Sequence, residues 1–205
     1  MDAMDILEAV RSDNDTALSR LGSSKGLYAD TEGEMQSDAV LAAAADAEAA
    51  AAETFESWAQ EESGAVAEAF AATAEEEHGH YETVLGKLDE HDPGDVPAIQ
   101  TYLRGLTDTP ERIGGFIGRT VAAERSKHQL TGFFVGKADP QTAQLFRDMG
   151  DELDAQLERG VELFETLDDE GQTRAKAAAD EAIQTAYEEY TTRLESMGVD
   201  PKPVC

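Results

Sequence analysis

Three long Ala-rich segments carry carboxylates inside their apolar stripes: Glu48 in the first, Glu77 with His80 three residues later in the second, and Glu124 in the third. A charge in a stripe that should be greasy is costly unless something pairs with it, and a metal ion is the usual partner. The stripes themselves recur at 3- and 4-residue spacing, and no run of alternating β-branched residues interrupts them. The pattern predicts an all-α protein.

Helix boundaries follow from the punctuation. A short opening helix is expected over residues 2–21, and Gly22-Ser23-Ser24-Lys25-Gly26 and 30–33 read as loop. The first long helix is placed at 38–62 with Ser37 as N-cap, and Ser63-Gly64 breaks it tightly from a second running to about residue 90. A long connection with a helical piece at 96–106 follows. Thr109-Pro110 and Asp139-Pro140 start the third and fourth long helices, the fourth ending near 169. A last helix over 171–197 precedes a Pro-rich tail. The domain reading is an N-terminal helix and loop (1–37), a four-helix bundle (38–169) and a C-terminal helix and tail (170–205). Two antiparallel hairpins joined by one long crossover give the connectivity of a ferritin-like up-down four-helix bundle with extra helices at both ends.

A shift of 76 residues supports a duplicated hairpin. It lays Ala47 on Ala123, Glu48 on Glu124, Ala67 on Ala143, Phe70 on Phe146, Glu76 on Glu152 and Glu82 on Glu158. The helix boundaries coincide under the same shift.

The first seam is read as Leu41, Ala45, Glu48, Ala52 and Phe55. The second is Val66, Phe70, Thr73, Glu77, His80 and Val84, and the third Ile117, Val121, Glu124, His128, Thr131 and Val135. Glu77 and His80 at i, i+3 can reach one ion. The stretch Ala74-Glu-Glu-Glu-His-Gly-His-Tyr81, with Glu48 before it and Glu124 after it, resembles the di-iron domain of rubrerythrins over about residues 38–168. That resemblance implies a centre of one or two irons reacting with peroxide or oxygen, with Glu77 and His80 as ligands and Glu48 and Glu124 bridging or capping. The shift carries Glu77 onto Leu153 and His80 onto Gln156, so the second Glu-x-x-His of that family is absent, and Lys127 stands where an extra carboxylate can occur.

Three readings stay open. Glu48, Glu77, His80 and Glu124, helped by His128, Glu152 or Gln156, bind one iron, manganese or zinc. Alternatively the site is a relic in which Lys127 and His80 neutralise the glutamates, or the glutamates are solvated. His78 and His91 read as surface residues. Trp58, Phe133, Phe134, Phe146 and Phe164 read as core, and Gly114, Gly115 and Gly118 as positions where a helix approaches a neighbour closely.

Composition bounds the setting. Sixteen Lys and Arg against 44 Asp and Glu give a net charge of −28. Such a surface repels nucleic acid and anionic membrane, so direct nucleic-acid binding is not expected. Self-repulsion on this scale is relieved by molar salt, where the screening length falls to roughly 3 Å, which points to a halophile. No apolar run reaches the ~18 residues of a membrane span, and a cytoplasmic protein is expected. Cys205 is the only cysteine, so an enzyme of this type would depend on an external electron donor. The competing reading is a non-catalytic bundle that acts through a protein partner or as a homodimer. Its ends also look similar to those of acidic haloarchaeal proteins labelled for transcription antitermination.

Overall fold

The computed structural model describes residues 3–202, so the reading of Cys205 falls outside the described residues. Those residues form nine α-helices and no strand. In chain order these are α1 (Ala3–Asp13), α2 (Asp15–Leu21), α3 (Ser24–Asp30), α4 (Ser37–Glu61), α5 (Gly64–Leu85), α6 (Ala98–Arg104), α7 (Thr109–Gly136), α8 (Pro140–Glu165) and α9 (Asp169–Ser196). None is long and apolar enough to cross a membrane.

The long helices start where their local chemistry starts them. Asp139 accepts a hydrogen bond from the Thr142 amide at 3.0 Å with Pro140 behind it, and Asp168 accepts from the Gly171 amide at 2.8 Å. Gly64, at φ +59°, lets the chain reverse between α4 and α5. The expected opening helix over 2–21 is in fact broken at Asn14. Its side-chain amide donates to Val10 O at 2.9 Å and to Asp180 at 2.8 Å, which ties the break to α9. Part of the expected loop at 22–26 is already α3, and the second long helix stops at Leu85 rather than near 90.

Four long helices make a bundle. Phe55 meets Phe116 and Glu48 meets Lys127, so α4 and α7 run antiparallel. Contacts of Glu76 with Arg159 and His80 with Glu152 set α5 antiparallel to α8. Phe55, Trp58, Phe70 and Phe116 fill one end of the bundle, while Phe134 stacks on Phe146 at 5.6 Å toward the other. Phe164 is also core, whereas Phe133 is only partly buried, under the Lys137 ammonium.

The central helix is α7, buried without a gap from Arg112 to Ala122. One of its faces packs on α9 in parallel orientation. A Cβ at Gly114 would lie 1.8 Å from Ala175 O and one at Gly118 2.3 Å from Ala179 O, so these glycines do permit a close approach. The terminal helices, set apart from the bundle by the sequence reading, pack against it: Ile6, Val10, Leu18, Ala179 and Ile183 share one cluster with Ile113, Ile117 and Phe164.

Candidate metal centre

The seams of α4 and α5 point as their spacing requires. Leu41, Ala45, Glu48, Ala52 and Phe55 are all buried, and so are Phe70, Thr73, Glu77, His80 and Val84. One atom from each of Glu48, Glu77 and His80 lies within 4.8 Å of the others, so this buried group could hold a metal ion. Carboxylate and imidazole donors suit several first-row metals without choosing among them.

The facing helices supply cations rather than further ligands. Arg119 of α7 forks onto Glu77, with Nη1 donating to Oε1 and Nη2 to Oε2, both at 2.7 Å. Gln156 of α8 donates to Glu77 Oε1 at 2.8 Å. The Lys127 ammonium donates to Glu48 Oε1. His80 spans the remaining gap. Its Nε2 lies 2.9 Å from Glu152, at the open edge between α5 and α8, and its Nδ1 lies 3.6 Å from Glu48 Oε2.

Protonation states follow from this arrangement. Burial pushes the Glu48 carboxyl up, but Lys127 and the neighbouring His80 imidazole more than reverse that and hold it well below the usual carboxylate range. Burial likewise works against charge on His80, and the carboxylates of Glu48 and Glu77 outweigh it and raise the imidazole pKa. For Arg119 desolvation is again the largest effect, and Glu77 overrides it to raise the pKa. Glu48 faces Lys127 and Glu77 faces Arg119, one cation for each carboxylate.

That balance does not fit a pair of irons. A divalent ion would enter a cluster whose two carboxylates already have a cation each and would leave it with excess positive charge, which the interior disfavours strongly. Both oxygens of Glu77 are engaged. Only Glu48 Oε2 and His80 Nδ1 are buried in this cluster without a hydrogen-bond partner, leaving one oxygen and one nitrogen for an incoming ion.

The other expected ligands lie elsewhere. Glu124 turns away from the centre and forks with Arg11 of α1 at 2.9 and 3.1 Å. His128 and Val135, placed on the same seam by sequence, are exposed; the buried line runs instead through Phe116, Thr120, Lys127, Leu130 and Phe134. Glu152 reaches the centre only through His80 and is 56% exposed. Gln156 is in the cluster, but as a hydrogen-bond donor to Glu77.

Spacing alone does not reveal two further groups. Arg119 sits in the run Phe116-Ile-Gly-Arg-Thr-Val121, and its signal is a single charge in a segment apolar on every face, which demands a buried partner. His91, expected at the surface, has a side chain only 4% exposed. Its Nε2 lies 3.0 Å from Asp46 Oδ1, so it pins the start of the crossover to α4. His78 is exposed as expected. Comparison with family models, with curated proteins and with solved structures gives no significant match for this chain.

Proposed function

We propose that this chain is a ferritin-like bundle of rubrerythrin type in which internal cations stand in for metal, and that it works by binding rather than by redox catalysis. The observation that carries this reading is the saturation of Glu77 by Arg119 and Gln156, together with the Lys127–Glu48 pair. Two antiparallel hairpins joined by a long crossover support the ferritin-like topology. The excess of acid supports a high-salt cytoplasm as the setting. A protein partner or a second copy of the chain is the class of macromolecule such a surface suits; nucleic acid and anionic membrane it repels.

A second reading rests on Glu48 Oε2 and His80 Nδ1, the two atoms left open. In it one ion, iron by preference, sits at Glu48, Glu77 and His80 after Arg119 or Lys127 has moved aside, and an external donor supplies electrons. Elemental mass spectrometry on untagged protein purified in molar KCl separates the two. The binding reading expects no stoichiometric metal in the wild type. One ion per chain, lost on joint Glu77→Ala and His80→Ala substitution, overturns it.

A further inference from the structure

Beside the Glu48–Lys127 pair a cleft of about 530 Å³ opens between α4 and α7, bounded by α3, by residues 94–100 and by α9. This volume lies in the range of small-molecule sites. Its walls are short side chains, Ala43 and Ala47 from α4 and Ala122 and Ala123 from α7.

The cations in the lining are already taken. Arg119 is held by Glu77, Lys127 by Glu48, and Arg193 donates to Glu189 at 2.6 Å. Asp46 is held by His91. Asp30, Glu32 and Glu34 at the α3 end, and Asp95 on the crossover, line the cleft with no ion pair among the described residues. An acidic lining alone would say little in a chain of this charge. The independent observation is Gln100, which lines the cleft at 2% exposure with an Oε1 that has no hydrogen-bond partner. The unsatisfied Gln100 atom is an acceptor, so a group that completes it must donate.

Asp30 is an exposed acid at the α3 end of the lining, and the Arg193 charge acts on it without forming an ion pair. A cation brought to that carboxylate adds to what Arg193 supplies.

We propose that this cleft binds an aliphatic amine bearing more than one ammonium group, with its methylene stem on the alanine walls and N–H donors directed to Asp30 and Gln100 Oε1. Ammonium donors meet acceptor-only groups, and methylenes meet alanine. A bare divalent ion fits less well, because it needs several converging oxygens, whereas these acids are spread along an apolar wall. The inference goes beyond the proposed function and does not depend on whether the centre holds metal.

The test is calorimetric titration of spermidine into the full chain in molar KCl, where diffuse attraction to the acidic surface is screened and a partly buried contact much less so. Wild type is expected to show one saturable site. Asp30→Asn weakens it by about tenfold or more, Ala47→Phe fills the cleft and abolishes it, and Asp151→Asn, an exposed acid on α8, leaves it unchanged. Circular dichroism checks that Ala47→Phe is folded; if it is not, Asp30→Asn at its open position decides alone. Absence of a saturable site overturns the proposal. So does equal weakening by Asp151→Asn, full binding by a folded Ala47→Phe, or equally tight binding of magnesium chloride titrated in place of spermidine.

Discussion

The two hairpins of the bundle face one another with opposite chemistry. At the level of the buried cluster α4 and α5 contribute Glu48, Glu77 and His80, while α7 and α8 contribute Lys127, Arg119 and Gln156. Under the 76-residue shift Glu77 and His80 fall on Leu153 and Gln156, both fully buried, so the second hairpin keeps the positions but not the ligands. A symmetric metal site needs acids from both halves. Here acids from one half meet donors from the other, and the halves are complementary rather than equivalent. Such an arrangement fixes register, because a slide of one helical turn would leave two buried carboxylates without partners.

The sharpest way to break that complementarity is Arg119→Met. It leaves Glu77 buried without its counter-charge and short of two hydrogen bonds, and a loss of about 3–5 kcal/mol is expected in urea unfolding at fixed KCl. Replacing the whole group instead, Glu77→Met with Arg119→Met and Gln156→Leu, should recover most or all of that loss, since an apolar core of similar volume spares the desolvation. If the triple variant were no better than Arg119→Met, the pairing would be more than compensation for a buried charge.

A second difference between the halves is that α7, unlike α4, carries a fifth long helix. Gly118→Ala places a methyl 2.3 Å from Ala179 O, a backbone atom that moves only with α9. Overpacking of this kind costs roughly 1–3 kcal/mol, against a helix-propensity gain of up to ~1 kcal/mol. Gly132→Ala, on the same helix with open space around it, supplies the control and should be neutral or stabilising.

Titration separates Lys127 from Arg119. Because the folded Glu48 carboxyl lies below its ordinary value of 4.5, its stabilising contribution is fully present above 4.5 and is lost as pH falls through the lowered folded value. Lys127→Met removes the largest of the effects that lower it, so the carboxyl moves up toward its ordinary value and the stability present above pH 4.5 shrinks. The difference in slope between the two proteins, at most about 1.4 kcal/mol per pH unit per proton, is read from unfolding curves across the acid range. Parallel curves would mean that Lys127 does not set the state of Glu48.

The seams of α4 and α5 are legible in the sequence because each helix buries one main face, so a 3–4 spacing fixes its phase. That is why spacing alone brings Glu48, Glu77 and His80 to the same interior. The α7 helix offers no such stripe. Surrounded by α1, α2, α6, α8 and α9 as well as the facing hairpin, it is buried on all sides from Arg112 to Ala122, and apolar spacing there fits more than one phase. Extrapolating a single stripe past Val121 lands on Glu124 and His128, whereas the inward position is Lys127. Arg119 is therefore hidden by the helix that carries it, whereas Lys127 is legible as a counter-charge for the glutamates, and the break at Asn14 is hidden because its reason, Asp180 and Gln184 of α9, lies far along the chain.

The smallest effect belongs to the residue that the duplication makes look most important. Glu124 is the counterpart of Glu48 under the 76-residue shift, and in a symmetric site its removal would cost as much as that of any ligand. In the structure its side chain is 22% exposed and forks with an Arg11 that is 39% exposed, a pair largely within reach of solvent and salt. Glu124→Ala is expected to cost no more than about 1 kcal/mol, less still in molar KCl, and to leave metal content unchanged. The same unfolding assay used for Arg119→Met reads it directly. A loss comparable to that of Arg119→Met would return Glu124 to the centre and restore the equivalence of the two halves; a loss within the expected range leaves it paired with Arg11 of α1, with Glu48 and Glu77 as the buried acids of the centre.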